Sequence, residues 1–328
     1  MNLKDEILKY LKQEQTYVSG QELCERLGVS RTAVWKVIRQ MEEEGYRIEA
    51  VRNRGYRLVE SGDVYTEAEI RSLLTTRWAG QNLIFLDEVD STNNEAKRQA
   101  EQGAPEGTLV VAELQNAGKG RRGRSWKSPK GSGVWMTLVL RPEFGPECAS
   151  MLTLIAALAT ETGIRKVTGL DCGIKWPNDI VVNGCKLVGI LTEMSTDVDS
   201  IQHVVVGIGI NANMKEFPEE IRSTATSLAI ASGGPVKRAE LVAAVMAAWE
   251  QYYEIFLQTL DLSLLQDTYN QRLVNCGREV RVLAPRGEYT GISHGINHTG
   301  ELLVETKDGQ IREVVSGEVS VRGIYGYV

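Results

Sequence analysis

The sequence predicts an α+β protein of three parts. These are a winged helix-turn-helix over residues 1–62, a central α/β domain with a mixed sheet over 66–272, and a small β-barrel of SH3-like size over 273–328. Three observations carry this. A tight Gly28-Val29-Ser30 turn separates two helical patterns and a short hairpin follows it; from about 66 strand-like apolar runs alternate with helical ones; and beyond about 275 only short strands remain, punctuated by turn residues.

In the first part, Leu3, Ile7, Leu8 and Leu11 recur at helical spacing. A helix over about 21–27 ends at Gly28, and Ser30 N-caps a second helix with Ala33, Val34, Val37, Ile38 and Met41 on one face. "YRIEAV" and "GYRLVE" then flank the turn "RNRG", a wing with Arg52 and Arg54 at its tip. A helix of this kind places its N-terminal residues in a major groove, so Arg31, Thr32, Trp35 and Lys36 are the candidates for bases or phosphates, and the wing arginines for backbone. "ESGDVYTEAEI" (60–70) reads as the boundary.

In the central part, "NLIFLDEV", "GTLVVAEL" and "GVWMTLVLRP" read as strands and "ECASMLTLIAALATETGIRK" as an amphipathic helix. Asn183-Gly184 inside "DIVVNGCKLVGILTEM" is the strongest hairpin signal in the chain. "IQHVVVGIGIN" is a further strand and 236–260 a long helix, so the sheet is expected to be mixed and largely antiparallel. The last part carries "EVRVLA", "YTGISHGI", "ELLVET", "IREVV" and "VSVRG" as short strands.

Of the 328 residues, 42% are hydrophobic and 24% charged, a soluble globular composition. The N-terminus lacks the apolar core of a secretory signal, and "MLTLIAALA" is too short to span a bilayer. Five scattered cysteines without CxxC spacing point to reduced thiols in a cytoplasm, with neither disulfide framework nor zinc site. Residues 1–60 hold 11 basic against 10 acidic side chains and the rest 26 against 33, so any nucleic-acid binding is confined to a local patch. Only three histidines occur; "HGINH" (294–298) reads as surface, and histidine-based nucleophilic catalysis is not expected.

The chemistry-bearing stretch is "GKGRRGRSW", 118–126. It matches neither GxxxxGK[ST] nor a GxGxxG that opens a helix, so both common nucleotide-binding readings fail. Glycines let a backbone close over a ligand, and four cations repel one another unless an anion or solvent separates them. In "IKWPNDI" the residue before Pro177 is extended, which puts Lys175 near a strand end where it can reach a cleft. "STNNEAK" opens a helix with Ser91, Thr92 and Asn93, and "GIGIN" ends a strand in glycines and Asn211, a place for close approach.

In the order STNN, AELQNAGKGRRGRSW, KWPNDI, KLVGILTE, GIGIN, behind a winged helix and before a β domain ending in "VSVRG", these motifs resemble the bifunctional biotin protein ligases, which double as biotin operon repressors. The resemblance covers essentially the whole chain. It implies a class II synthetase-like central fold and an enzyme that joins biotin to ATP as biotinyl-5′-AMP, then passes it to a lysine of a biotin carboxyl carrier protein. It implies Mg²⁺, operator DNA and a ligand-promoted homodimer as well, with no protein metal site of its own. Residue by residue, Ser91, Thr92, Asn93, Gln115, Lys119, Gly120, Arg121, Lys175 and Gly189 are implied around biotin. Gly118, Arg122, Arg124, Trp126, Asn211 and Arg322 are implied around the adenylate, and Lys175 and Arg121 in catalysis. Lys119 stands where the family loop usually has arginine, keeping the charge but losing the planar fork. Lys175 together with the intact loop favours a ligase over a biotin sensor without catalysis, and the loop favours biotin over lipoate. A ligase whose N-terminal domain no longer binds DNA stays open.

Overall fold

The computed structural model describes residues 3–14, 16–59, 62–197, 200–284, 287–316 and 320–323, with backbone only for 284 and 320–323. The chain forms two compact units, Met1–Leu74 with Lys237–Ala243, and Thr75–Val236 with Ala244–Val328.

The first unit begins with α1 (Leu3–Glu14), α2 (Gly20–Leu27) and α3 (Arg31–Glu43). The turn between α2 and α3 is built as its sequence requires. Gly28 closes α2 in the left-handed conformation, φ 66°, and the Ser30 hydroxyl accepts from the Ala33 N–H at 3.2 Å. Val34, Ile38 and Met41 of α3 are buried with Ile7, Leu8 and Leu11 of α1, leaving the opposite face of α3 in solvent. The wing is β1 (Ile48–Val51) paired antiparallel with β2 (Gly55–Leu58). A fourth helix, α4 (Glu67–Leu73), belongs to this unit, which runs to Leu74. The reason is tertiary: Ala68 and Ile70 are buried, and Glu69 accepts from Lys12 Nζ at 2.5 Å and from Tyr46 Oη at 2.9 Å.

The second unit is organised by a seven-stranded sheet of order β3-β4-β5-β9-β8-β7-β6. Its strands are β3 (Leu83–Leu86), β4 (Leu109–Ala112), β5 (Gly133–Leu140), β6 (Gly173–Lys175), β7 (Asp179–Val182), β8 (Cys185–Thr196) and β9 (Ile201–Asn211). Only β3 and β4 are parallel, and the crossover between them carries α5 (Thr92–Glu101). All other neighbours are antiparallel, as the sequence predicts. The β7–β8 turn holds Asn183 and Gly184 at φ 51° and 75°, the left-handed pair that Asn-Gly supplies at lowest cost.

The helix α6 (Met151–Thr168) is not amphipathic: 12 of its 18 residues are buried, including Glu161, which pairs with Arg165 at 2.7 Å and with Arg272. With the turn before it, Pro146–Thr168 is long and apolar enough to cross a membrane, but most of it is enclosed by protein, a core helix. After α7 (Leu228–Ser232), the helix α8 (Arg238–Phe256) stops short of residue 260, and α9 (Gln266–Arg272) follows. The C-terminal strands β10 (Glu279–Ala284), β11 (Gly287–Ile296), β12 (Leu302–Thr306), β13 (Ile311–Val314) and β14 (Ser320–Gly323) form an antiparallel sheet of order β13-β12-β11-β10-β14. All five cysteines are free thiols. His294 of "HGINH" is exposed, and its Nε2 lies 2.7 Å from the equally exposed Glu305 across the β11–β12 pair.

Candidate functional site

Cross-strand partners in a sheet share a face, and residues two apart on a strand share it too. Three rows therefore run across one face of the central sheet. Thr137, Gly207 and Leu191 form the first, on β5, β9 and β8. Trp135, Gly209, Gly189, Asp179 and Lys175 form the second, on β5, β9, β8, β7 and β6. Gly133 and Asn211 belong to the third. From Gly207 to Asn211 is roughly 13 Å of strand. A cavity of about 590 Å³ is lined by residues of all three rows.

At the first row the N-terminus of α5 comes down on the sheet. Ser91, Thr92 and Asn93 are buried and line the cavity. Ser91 occupies the N-cap of α5 but makes no capping hydrogen bond with its side chain, so the cap does not account for its hydroxyl. Thr92 N–H donates to Gln115 Oε1 at 2.8 Å, and Gln115 Nε2 donates to Ser128 Oγ at 2.7 Å. Asn93 lies across the strands: its Nδ2 donates to Leu191 O at 3.1 Å and to Glu193 Oε2 at 2.8 Å, which leaves it no donor for a ligand. Gly207 makes the room, since a Cβ there would meet Asn93 Oδ1 at 2.0 Å. Burial alone would raise the Glu193 carboxyl, but the bonds from Lys97 and Asn93 outweigh it and hold the pKa below its ordinary value.

The glycine-rich loop folds as a small hairpin over the second row. Trp126 N–H donates to Gly118 O at 2.8 Å, Gly120 N–H to Arg124 O at 2.7 Å, and Arg122 takes a left-handed φ of 59°. The Trp126 indole lies on Gly189 and Gly209: a Cβ on either would come within 2.9 Å or 2.8 Å of the ring. This answers what the glycines of "GIGIN" admit so closely. The indole Nε1 is buried with no hydrogen-bond partner. Lys119, Gly120, Arg121, Arg122 and Arg124 also line the cavity, with Arg122 and Arg124 exposed at its rim and Lys119 Nζ 2.5 Å from Asn94 Oδ1. Gly118 does not line it; a Cβ there would lie 2.3 Å from Trp126 O, so its part is in the loop's own turn.

Lys175 ends β6 as the sequence predicts, but it is only 6% exposed and lines the cavity, unlike a solvated surface lysine. Behind it the Trp176–Pro177 bond is cis, and Trp176 Nε1 donates to Gly300 O at 3.1 Å. Arg121 bridges from the loop to this motif, donating to Asn178 Oδ1 at 2.8 Å and to Ser316 O at 2.7 Å. Asn211 donates to Thr226 O at 3.1 Å and borders the third row. The side chain of Arg322 lies outside the described residues.

Sequence reasoning missed Asn178, Asp179 and Lys186, and the apolar wall of Met214, Phe217 and Ile221. Lys186 Nζ pairs with Asp179 at 2.6 Å and stands 5.3 Å from the centre of the Trp126 ring. Asn178 and Asp179 were legible, being the N-D of the "KWPND" motif itself. Met214 to Ile221 carry no local signal, because they reach the cavity only through the turn after β9. Among the described residues no group of three or more His, Cys, Asp or Glu side chains gathers as a metal site.

In the first unit, Arg31, Thr32, Trp35 and Lys36 all lie on the exposed face of α3, Trp35 at 51% exposure. Arg52 and Arg54 are exposed at the wing tip, and the Arg54 and Arg57 guanidinium groups stand 5.1 Å and 5.0 Å from the Tyr17 ring centre. The six residues thus form a helix face and an adjacent wing of one unit.

Comparison with known proteins agrees with each part. Residues 85–211 match the biotin/lipoate A/B protein ligase family, 4–57 an HTH domain, and 276–322 the biotin protein ligase C terminal domain. The chain is 41% identical over 322 residues to the bifunctional ligase/repressor BirA of Bacillus subtilis (strain 168), covering 97% of this chain and 98% of that one. It is 31% identical to the bifunctional ligase/repressor BirA of Escherichia coli (strain K12), covering 93% and 92%. The structure of biotin protein ligase from Aquifex aeolicus in complex with biotin and ATP superposes with a TM-score of 0.66 at 34% identity, over 74% of this chain and 99% of that one. Helix-turn-helix domain, catalytic sheet and C-terminal sheet, each matched in chain order, make this protein a member of the biotin protein ligase family, of the bifunctional ligase/repressor kind.

Proposed function

We propose that this protein activates biotin with ATP to biotinyl-5′-AMP, transfers the biotinyl group to one lysine of a biotin carboxyl carrier protein, and represses biotin genes through its winged helix. The observation that carries the reading is the order of the three rows. Polar groups for a head group (Ser91, Thr92, Gln115) stand at the first, Lys175 reaches in from the end of the second, and Asn211 with its apolar neighbours borders the third. Biotin laid along this face puts its ureido ring at the first row, its tail over Gly189 and Gly209, and its carboxylate near Lys175, with the nucleotide towards Asn211.

A carboxylate oxygen of biotin then attacks the α-phosphorus of ATP; the acyl–phosphate bond forms as the Pα–O bond to pyrophosphate breaks. Both reactants are anions, so repulsion peaks as the bond forms, and Lys175 and Arg121 neutralise charge at that place. In the second step the neutral amine of the acceptor lysine attacks the acyl carbon, AMP leaves, and the amine loses its proton to give the amide. Neither step requires a side-chain nucleophile; positioning supplies the rate. Mg²⁺ would enter with ATP as part of the substrate and offset phosphate charge; Asp179, the register partner of Lys175, is a carboxylate of the cavity that could face it.

The loop 118–126 serves as the lid that retains the adenylate, with Gly118 setting its turn, Gly120, Arg122, Arg124 and Trp126 facing the adenylate, and Lys119 and Gly189 on the biotin side. Arg322 joins the nucleotide side from the C-terminal sheet, whose five strands coil as a small SH3-like barrel, while the central sheet is of the class II synthetase kind. Arg31, Thr32, Trp35 and Lys36 read the operator and Arg52 and Arg54 grip its backbone. A ligand-promoted homodimer in the cytoplasm engages two half-sites at once. Incubation with biotin and MgATP, followed by native mass spectrometry, tests the reading: the protein retains biotinyl-adenylate, and its operator affinity at fixed salt rises with it. Absence of adenylate removes the ligase reading, and equal operator affinity with and without ligand removes the regulatory one.

A further inference from the structure

Behind the first row of the site lies a closed set of hydrogen bonds whose proton count fixes a direction. Asn93 faces two groups that can only accept, the Leu191 carbonyl at 3.1 Å and Glu193 Oε2 at 2.8 Å. Only an amide nitrogen satisfies both, so Asn93 Oδ1 must point the other way, to Thr137 Oγ1 at 2.7 Å. Thr137 has a single hydroxyl hydrogen for two neighbours, Asn93 Oδ1 and Thr92 Oγ1, the latter at 2.8 Å. Asn93 Oδ1 can give none, so it takes that hydrogen, and Thr137 is left with lone pairs towards Thr92. Thr92 therefore donates its own hydrogen to Thr137. Gln115 Oε1, 3.1 Å from that hydroxyl, is served by the Thr92 N–H instead. What Thr92 then offers the cavity is lone pairs alone.

Water does not scramble this order, because Thr92, Asn93 and Thr137 are all buried, Thr137 completely. The last member is held from outside: Lys97 Nζ lies 2.5 Å from Glu193 Oε1. We propose that Glu193, anchored by Lys97 and acting with the Leu191 carbonyl through Asn93 and Thr137, sets Thr92 as an obligate acceptor and so selects a ligand that presents an N–H there, as a cyclic urea does. This rests on the reading that the biotin head group occupies the first row. Glu193, Asn93 and Thr137 are positioning residues, and Lys97 holds only the outer oxygen of Glu193; of the set only Thr92 meets the ligand.

The relay makes an unusual demand that separates it from simple support of the fold. In Glu193→Gln, the new amide must turn its oxygen to the Lys97 ammonium, which cannot accept, and its NH₂ to Asn93. Asn93 then turns over, giving up its bond to the Leu191 carbonyl to accept from the new amide; Thr137 donates to Thr92, and Thr92 aims its hydrogen at Gln115 or the ligand. Biotin affinity should fall roughly tenfold, the scale of one misdirected hydrogen bond in a buried site. Adding Lys97→Met frees the introduced amide to turn its oxygen back to Asn93, so the double variant should return to within about threefold of wild type. Lys97→Met alone should bind near wild type.

The experiment is calorimetric titration of biotin into the full chain and these three variants, with Thr92→Val beside them and thermal unfolding midpoints confirming that each is folded. Wild-type affinity in Glu193→Gln overturns the relay, and so does a double variant no better than the single. If Thr92→Val binds biotin as wild type does, the placement of the head group fails instead. Loss in Thr92→Val without loss in Glu193→Gln leaves that placement standing and removes the relay alone.

Discussion

Arg121 donates one guanidinium N–H to Asn178 at 2.8 Å and another to the Ser316 carbonyl at 2.7 Å. One side chain of the glycine-rich loop thereby ties it both to the turn that follows Lys175 and to the segment after β13.

Arg121→Gly removes both ties and adds backbone freedom to a loop that already contains three glycines. The lid should open more often and release biotinyl-adenylate before the carrier protein arrives. Bystander proteins mixed with the variant, biotin and MgATP should then be labelled at nonspecific lysines. Streptavidin blotting measures it; labelling no greater than wild type, in a variant that still makes adenylate, would remove this role from Arg121.

Lys175→Ala should slow adenylate formation by roughly a hundredfold, since removing one preorganised charge contact costs about 3 kcal/mol. Biotin affinity should fall less, because Ser91, Thr92 and Gln115 stand on another row. Transfer from preformed adenylate should suffer less as well, the carboxylate–phosphate repulsion being already overcome. Rapid-quench measurement of the two half-reactions distinguishes these outcomes, and near-wild-type adenylation would leave Lys175 without its catalytic part.

Trp126 fills the strip above Gly189 and Gly209 that the biotin tail is proposed to occupy, with its Nε1 unpartnered. An unpaired buried N–H costs about 1–3 kcal/mol, which favours giving up the slot when a ligand arrives. Biotin should therefore shift tryptophan emission to longer wavelength as the indole meets solvent. The chain has six tryptophans, so the assignment needs Trp126→Phe. An unchanged shift in that variant would place the signal elsewhere.

Arg52→Ala, at the wing tip, should weaken operator and nonoperator DNA alike and reduce the salt dependence of binding by about one phosphate contact. Arg31→Ala, on the exposed face of α3, should instead cost about 1–3 kcal/mol of discrimination between operator and scrambled sites. Binding titrations over a range of salt concentrations separate the two. Equal effects of both variants on operator and scrambled DNA would mean that α3 does not read bases.

Local rules reached far into this molecule. Gly28, Ser30 and the Asn183-Gly184 pair fixed their turns within a few residues of chain, because left-handed φ and side-chain capping are properties of those residues themselves. The motifs "GKGRRGRSW" and "KWPND" likewise marked loop and strand end, since glycine and X-Pro act on their own backbone. Other features depended on what the chain brings from a distance. Helix α6 lost its expected polar face because Arg272, far along the chain, reaches Glu161. Glu67–Leu73 joined the first unit because Lys12 and Tyr46 hold Glu69. The row that carries Lys175 to Gly209 is a matter of strand register across four strands, which no local pattern encodes. The direction of the hydroxyl on Thr92 goes further still. As proposed, it follows from counting hydrogens among Glu193, Asn93 and Thr137, and such a count exists only once the fold has brought all three together.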